Sequence, residues 1–495
     1  MSYVSCPRAL GFPLLGLVLL AVGPLAACSA VVHRVQPMDT ISVNAGAVTR
    51  VIPSNFFGIN YVGFWDSAQG SQASAKALEQ TPIRSVRFAG GDPGDWYDWQ
   101  EPYYPTTTLS RSSWSSTSPI QLANWAAQFG ATPLFQTNYQ GHLPNPPGRS
   151  YAVNSPQNQA AWVTYDQAHG IDASMEVGNE EDIRMTTYQD RDFQPYITAF
   201  NAQASAMHAV DPGVQVYGPA ATNEYYWWTL DSLGMFLKQT GNKAGTGEVD
   251  GVSLHYYRGS GWNDTKGAAE TWSCSRCDWP FITQEIAAND TRRLPVDISE
   301  WNLGDSNTGT GFNQTVGHAL VYADMIGAFA QSGVAEEDYF DLHGAGAYGL
   351  LYGPGEARPV DTPTPTYYAT ALWGHMGATV LPLTQSDDPS TTVSAYATRK
   401  SDSSVQVLGI NKTGSPQPLR IKYTGFSPIG GTLSTYAMAS TSDENSLDVD
   451  YDGQLDPSAQ APLPGAISTT SVTGNAVSVM LAPYSATVVD VSQKR

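Results

Sequence analysis

Cysteine, histidine and basic residues are scarce in this sequence. Among 495 residues there are 4 cysteines, 8 histidines and 25 lysines and arginines, against 45 aspartates and glutamates, which gives a formal net charge of −20. This charge argues against a nucleic-acid partner, because phosphate binding requires a basic face. It also disfavours a polyanionic substrate, unless a local arginine cluster overrides the overall field.

The apolar run at the N-terminus, Ala9–Val22, is too short to cross a membrane as a helix. It follows Arg8 and leads into Leu25-Ala-Ala-Cys28, a pattern typical of an export signal over residues 1–30. The pattern resembles the lipobox of bacterial lipoproteins, in which Cys28 is lipidated, and cleavage of an ordinary signal nearby, for instance after Ala30, explains it equally well. In both cases we expect the mature protein to work outside the cytoplasm, with no membrane contact except through such an anchor.

The remaining cysteines form a close pair, Cys274-Ser-Arg-Cys277. In an oxidising compartment this pair predicts a local disulfide that holds a loop. A zinc site requires about four ligands, and the sequence has no second cysteine pair to complete one. A redox motif of the thioredoxin type requires a different helical context.

The chain after the leader alternates between short apolar runs and helical patterns. This alternation predicts a (β/α)8 barrel over residues 51–376, of the size usual for such domains. An open doubly wound sheet is the competing arrangement, but polar residues follow many of the strands rather than one switch point. The predicted strands are Phe56–Gly63, Ser85–Gly91, Thr132–Asn138, Ala173–Glu180, Val214–Ala220, Asp250–Tyr257, Pro295–Asn302 and Asp338–His343. The predicted helices are Gln72–Leu78, Ile120–Phe129, Gln157–His169, Phe193–Val210, Trp228–Gln239, Thr315–Gln331 and Thr366–Trp373, and the link Arg258–Arg293 is predicted to be irregular.

Helical periodicity ends near Gly377, and short alternating runs separated by Gly, Pro, Ser and Asn take over. Residues 377–495 are therefore predicted to form an antiparallel β-sandwich. We expect an N-terminal strand in residues 31–50, around Ile41, to join it. The predicted sandwich strands are Val393–Ala397, Val405–Ile410, Leu419–Tyr423, Leu433–Ala437, Ala476–Leu481 and Ala486–Val491.

Two of the predicted barrel strands carry a glutamate at their C-terminal ends, Glu180 in the fourth strand and Glu300 in the seventh. Parallel barrel strands bring their C-terminal ends to one face, so we expect these two carboxyl groups to meet. A pair of carboxyl groups is what acid/base hydrolysis of a glycosidic bond requires.

These segments also carry a family resemblance. Gly178-Asn-Glu180 and Ser299-Glu-Trp-Asn302 resemble the acid/base and nucleophile motifs of clan A retaining glycoside hydrolases. Val86-Arg-Phe-Ala-Gly-Gly-Asp92 resembles a segment of the α-L-arabinofuranosidase branch, as do Asp250–Tyr257 and Leu481–Val489. The resemblance covers nearly all of the mature chain.

Three departures leave the substrate open. Ala89 stands where that branch often has proline, Ser299 where it usually has aspartate, and Glu181 where many members of the clan have proline. An α-L-arabinofuranosidase-like activity is the first hypothesis, and a β-glycosidase of the glucuronidase or xylosidase type or an endo-β-glucanase is the alternative. A non-catalytic carbohydrate-binding lipoprotein is the hypothesis of another class.

The resemblance implies a nucleophile, Glu300, that stays ionised beside Arg87 and Tyr257. It implies an acid/base, Glu180, whose pKa we expect the charge of Glu300 and partial burial to raise. In a retaining mechanism the two carboxyl groups lie about 5–5.5 Å apart. The predicted substrate-binding residues are Asn179, Arg87, His255, Tyr257, Asn138 and Trp301, although a structural ion pair explains Arg87 and ordinary packing explains His255.

We expect a carbohydrate substrate but neither a cofactor nor a metal ion. Asp448–Asp456 resembles the start of a calcium loop, yet the twelfth position is Ala459 rather than an acid, which favours a polar hairpin. The aromatic sets Trp96–Trp99 and Tyr225–Trp228 predict sugar-stacking platforms or packing.

Overall fold

Eight parallel strands close into a barrel, which confirms the predicted fold class. The computed structural model describes residues 38–63, 66, 71–102, 117–140, 152–183, 193–222, 231–258, 278–304, 311–344, 348–386 and 392–494. The predictions for residues 1–30, Cys28, Cys274, Cys277 and Tyr225–Trp228 fall outside these ranges. No helix within them is long and apolar enough to cross a membrane.

The barrel strands follow one another in chain order around the barrel, and the last pairs with the first. Most of their residues are buried, as expected of strands covered by helices outside and side chains inside. The strands are β3 (Phe57–Asn60), β4 (Ser85–Phe88), β5 (Thr132–Thr137), β6 (Ser174–Val177), β7 (Val216–Ala221), β8 (Gly251–Arg258), β9 (Val296–Leu303) and β10 (Glu336–Tyr339).

Several helices begin at a serine or threonine whose side chain accepts a hydrogen bond from the first turn. Ser118 does so in a capping box with Gln121, and Ser155 and Thr315 cap two longer helices. The helices are α1 (Gln72–Leu78), α2 (Gly91–Gly94), α3 (Pro119–Ala126), α4 (Pro156–His169), α5 (Gln194–Val210), α6 (Ser232–Thr240), α7 (Asp278–Asn289), α8 (Val316–Ser332) and α9 (Pro365–Trp373).

Two details of the predicted barrel are wrong. The link after the sixth strand is not irregular throughout, because α7 occupies its second half, and Pro280 in its first turn is compatible with a helix. The eighth strand was predicted at Asp338–His343 but runs over Glu336–Tyr339. Its sequence, Glu-Glu-Asp-Tyr, is buried although three of its residues are acidic, so an apolar pattern does not identify it.

The C-terminal region forms two sheets, in which most neighbouring strands are antiparallel. Their strands are β1 (Asp39–Asn44), β2 (Arg50–Val51), β11 (Thr379–Leu381), β12 (Leu383–Gln385), β13 (Val393–Arg399), β14 (Val405–Asn411), β15 (Gln417–Thr424), β16 (Thr432–Ser440), β17 (Val449–Tyr451), β18 (Gln454–Leu455), β19 (Ser468–Ser471), β20 (Ala476–Leu481) and β21 (Ser485–Val491). The four-stranded sheet has the order β12-β1-β15-β20, and the nine-stranded sheet has the order β18-β17-β16-β21-β14-β13-β11-β2, with β19 paired to β16. The strand around Ile41, β1, pairs in parallel with β15.

The larger sheet packs against α8 of the barrel. The Tyr396 ring lies over Gly327, where an added Cβ would come within 2.4 Å of the ring. Lys412 forms a buried ion pair with Asp324 at 2.8 Å, and the Tyr396 hydroxyl donates to the same aspartate. The sandwich is thus attached to the barrel by specific polar contacts as well as apolar ones.

The segment Asp448–Asp456 is a polar hairpin, as predicted. Its strands β17 and β18 pair, and Arg358 donates to Asp448 and, at 3.0 Å, to Asp456. Asp456 also accepts the Val449 N–H at 2.8 Å. These carboxylates therefore bind a guanidinium and the backbone of the same chain.

Candidate active site

Glu300 faces the barrel interior because β9 contains a bulge. In the pairing with β8, Ser253 lies opposite Asp297 but His255 lies opposite Glu300, so β9 gains one residue between them. Pairing with β10 shows the same shift. Since neighbouring side chains on a strand point to opposite faces, the extra residue turns Glu300 inward.

Glu300 is held by two donors. Arg87 Nη1 lies 2.6 Å from its Oε1, and the Tyr257 hydroxyl donates to its Oε2 at 2.9 Å. The residue is 5% exposed, so it lies at the floor of the site. Each oxygen of the carboxylate is therefore held by one donor.

Glu180 lies just beyond β6, where the chain turns sharply. Gly178 has φ +72° and Glu180 itself has φ +49°, a left-handed conformation that is uncommon for a residue with a side chain. The Glu180 N–H donates to the Ala220 carbonyl at 2.9 Å, which fixes this turn against β7. Local backbone strain of this kind clusters at functional sites.

The two glutamates meet across the barrel end. One oxygen of each carboxylate and a His255 ring nitrogen lie within 4.8 Å of one another. His255 Nδ1 is 2.8 Å from Glu180 Oε1 and 3.6 Å from Glu300 Oε2. His255 therefore sits between the two carboxylates, and its side chain is fully buried.

The expected rise in the pKa of Glu180 is wrong for this arrangement. Burial acts to raise the pKa, but the hydrogen bond and charge of His255 outweigh it and lower the pKa of Glu180. Burial acts to lower the pKa of His255, and the charges of Glu300 and Glu180 raise it instead. The pair thus carries its proton mainly on His255, with Glu180 ionised.

Arg87 joins the site to the barrel interior. Its Nε is 2.5 Å from Glu176, and its other nitrogens donate to Asn60 and Asn179 at 2.9 Å each as well as to Glu300. Burial acts to lower the pKa of Arg87, but the charges of Glu176 and Glu300 raise it overall. A planar guanidinium with several fixed partners orients the groups around it.

Asp92 is a site residue that the sequence did not single out for a role. It lies on the short helix α2, and its Oδ1 accepts a hydrogen bond from Asn179 Nδ2 at 3.1 Å. Burial and the charges of Glu180 and Glu300 raise the pKa of Asp92. The sequence feature that could have indicated a role for Asp92 is its position at the end of the segment Val86–Asp92, after two glycines that follow a barrel strand.

The prediction that Trp301 binds substrate is wrong. Its ring is fully buried, stacks on Tyr322 of α8 at 5.0 Å between centroids, and its N–H donates to Glu337. Because Glu300 points into the barrel, the next residue points outward. Trp301 therefore packs between the barrel and its helices.

Other predicted contacts are structural. Asn138 is 1% exposed and donates to the Tyr97 carbonyl at 3.1 Å. Tyr97 and Trp99 are buried beside Trp162, so they pack the core rather than form a sugar platform. Trp96 is partly exposed, and its N–H donates to Gln140.

No family profile and no curated protein matches this sequence. Solved structures do match. The α-L-arabinofuranosidase of Thermotoga maritima is 14% identical, with a TM-score of 0.68, and the match covers 92% of this chain and 99% of that one. A bifunctional glucanase-xylanase from a metagenome library is 17% identical, with a TM-score of 0.66 and coverage of 92% and 99%.

A xyloglucanase of glycoside hydrolase family 44 from Paenibacillus polymyxa is 13% identical, with a TM-score of 0.65 and coverage of 92% and 100%. At this level of identity the likeness concerns the fold. The chain has the fold of these glycoside hydrolases over nearly all of its length.

Proposed function

We propose that this protein is a retaining glycoside hydrolase that cleaves O-glycosidic bonds by double displacement. The observation that carries the proposal is the approach of the Glu180 and Glu300 carboxylate oxygens to within 4.8 Å. Retaining enzymes hold their carboxyl groups about 5–5.5 Å apart, whereas inverting enzymes leave about 6.5–9.5 Å for a water molecule. The likeness in fold to glycoside hydrolases supports the same class.

In this mechanism Glu300 is the nucleophile. It attacks the anomeric carbon as a carboxylate, whose oxygens the Arg87 guanidinium at 2.6 Å and the Tyr257 hydroxyl at 2.9 Å hold in place. As the covalent bond forms, the negative charge on Glu300 disappears.

Glu180 is the acid/base, and His255 holds its proton before reaction. The proton on His255 Nδ1 passes to Glu180 Oε1, which lies 2.8 Å from that nitrogen, and from Glu180 to the leaving glycosidic oxygen. In the second step Glu180 takes a proton from water, which attacks the anomeric carbon and releases Glu300. Glu180 then returns this proton to His255, so the pair ends the cycle in its starting state.

Asn179 positions the sugar. Its carbonyl accepts from Arg87 and one amide N–H donates to Asp92, so its orientation is fixed. The second amide N–H then donates to the hydroxyl next to the anomeric carbon. Such hydrogen bonds strengthen in the transition state.

An α-L-arabinofuranoside is the first substrate proposed. An endo-β-glucanase, or a β-glycosidase of the glucuronidase or xylosidase type, is the second, because the xyloglucanase and the glucanase-xylanase match the fold about as well as the arabinofuranosidase, with TM-scores of 0.65 and 0.66 against 0.68. We also propose that the protein is exported, and is either secreted or anchored to the cell envelope by a lipid on Cys28. The mass of the mature N-terminus, with and without Cys28→Ser, tests that point.

The experiment is turnover of a panel of nitrophenyl glycosides and of soluble xyloglucan and β-glucan by the wild type and by Glu180→Ala and Glu300→Ala. Glu181→Gln is the matched control, because it changes the adjacent carboxylate, which accepts from Gln140. We expect Glu300→Ala to lose nearly all activity and Glu180→Ala to suffer most with poor leaving groups. Azide should rescue Glu180→Ala with good leaving groups and give a product of retained configuration.

Wild-type turnover no higher than that of both alanine variants, together with binding of the same sugars, would instead favour the carbohydrate-binding lipoprotein. An inverted product, observed by NMR at the first turnover, would refute the double-displacement mechanism.

A further inference from the structure

Below the catalytic residues, three more carboxylates converge inside the barrel. Asp297 lies on β9, and Glu336 and Asp338 lie on β10. One oxygen from each lies within 4.8 Å of the other two. The residues are 1%, 9% and 0% exposed, so the cluster lies inside the barrel and is shielded from solvent.

The oxygens of this cluster differ in their partners. Glu336 accepts hydrogen bonds from the Ser85 hydroxyl and the Asn55 amide. In contrast, both oxygens of Asp338 and Oδ1 of Asp297 have no hydrogen-bond partner among the residues that the structure describes. Buried polar groups are nearly always satisfied, so fully buried carboxylate oxygens without donors indicate an additional ligand.

The nearest guanidinium does not supply the missing charge. Arg87 already pairs with Glu176 at 2.5 Å and with Glu300 at 2.6 Å. The unpartnered oxygens of Asp297 and Asp338 therefore need either protons or a cation.

We propose that Asp297, Glu336 and Asp338 bind one divalent cation of the calcium type. The ligand set is entirely carboxylate oxygen, which suits hard cations and not zinc or copper. Calcium takes oxygen ligands at about 2.3–2.6 Å, so one ion reaches oxygens that are up to about twice that distance apart. Magnesium requires shorter bonds, about 2.0–2.1 Å, in a stricter octahedron.

A neighbouring glycine makes room for this arrangement. Gly58 of β3 lies opposite Asp338, and a Cβ at that position would come within 1.8 Å of the Asp338 carboxylate. The barrel wall therefore accommodates the carboxylate only because residue 58 has no side chain. Glu336, the most exposed of the three at 9%, is the first residue of β10 and so lies toward the N-terminal end of the barrel.

The ion would have a structural and an electrostatic effect. It would join β9, the strand that carries Glu300, to the neighbouring strand β10. It would also neutralise carboxylates that otherwise compete for Arg87, so that the guanidinium stays with Glu300. The proposal can be tested independently of the proposed hydrolysis, since ion binding and unfolding are measured without turnover.

The test uses the full chain, treated with chelator and titrated with CaCl2 by calorimetry and by thermal unfolding. We expect about one calcium ion per chain and an unfolding midpoint that rises with CaCl2 concentration. Asp338→Asn should lower the calcium affinity at least 10-fold. Asp166→Asn is the matched control, because Asp166 on α4 is a buried carboxylate outside the cluster, and its calcium affinity should equal that of the wild type.

Two results would overturn the proposal. If the wild type binds no calcium and its midpoint is the same in CaCl2 and in chelator, the cluster holds protons. If Asp338→Asn and Asp297→Asn both bind calcium as tightly as the wild type, the ion lies elsewhere. Should Asp338→Asn fail to fold, Asp297→Asn and the wild-type titration still decide the question.

Discussion

Replacing His255 with glutamine tests how the proton of the acid/base is held. Glutamine keeps an N–H donor near Glu180 but cannot carry a proton. In the wild type, the charges of Glu300 and Glu180 raise the pKa of His255, and the 2.8 Å contact lets the pair retain one proton to higher pH than a glutamate alone. In His255→Gln that proton belongs to Glu180 only.

The direction and size of the change in the pH profile follow from the loss of this shared proton. The alkaline limb of the kcat/KM profile reports loss of the proton that reaches the leaving group. His255 keeps the proton to higher pH than Glu180, so we expect the limb to move toward acid when His255 is replaced. Above both limbs, kcat/KM should be lower than in the wild type by about tenfold for each pH unit that the limb moves.

The assay is kcat/KM from pH 4 to pH 9 on the nitrophenyl glycoside that the wild type turns over fastest. Thermal unfolding of both proteins at each pH checks that the fold persists. An equal loss at every pH, with the alkaline limb in its original place, would refute the shared proton and leave His255 as a hydrogen-bond donor only.

Three further changes have defined outcomes. Arg87→Met leaves two buried carboxylates without their guanidinium, so denaturant titration should find a loss of about 3–5 kcal/mol in unfolding free energy. Trp301→Phe removes the donor to Glu337 and should cost about 1–3 kcal/mol while KM stays unchanged, which distinguishes packing from substrate binding. Burial raises the pKa of Asp166 to about 8 and of Asp182 to about 7, so the folded chain binds protons that the unfolded chain releases. The unfolding midpoint should therefore fall as pH rises from 5 to 8, and a midpoint that rises over this range would contradict that account.

Local patterns were enough to predict the architecture. The strands that carry Glu180 and Glu300 are short apolar runs, and helical periodicity separates them from their neighbours, so their order predicts a barrel with both glutamates at one end. The sandwich strands, for instance Val405–Ile410, likewise follow from alternation and turn residues. Trp301 was misassigned although the alternation of side chains along a strand, once Glu300 is placed inward, puts it on the outer face.

The sequence by itself therefore determined which elements form, in what order, and which ends carry carboxylates, because hydrophobic periodicity and turn chemistry act within a few residues. Only the tertiary structure decided the bulge that turns Glu300 inward, the pairing of His255 with Glu180 that reverses the expected pKa shift, and the gathering of Asp297 and Asp338 inside the barrel. Each of these depends on the register between strands far apart in the chain. Electrostatic effects vary steeply with the distances that this register sets, and no local pattern contains them.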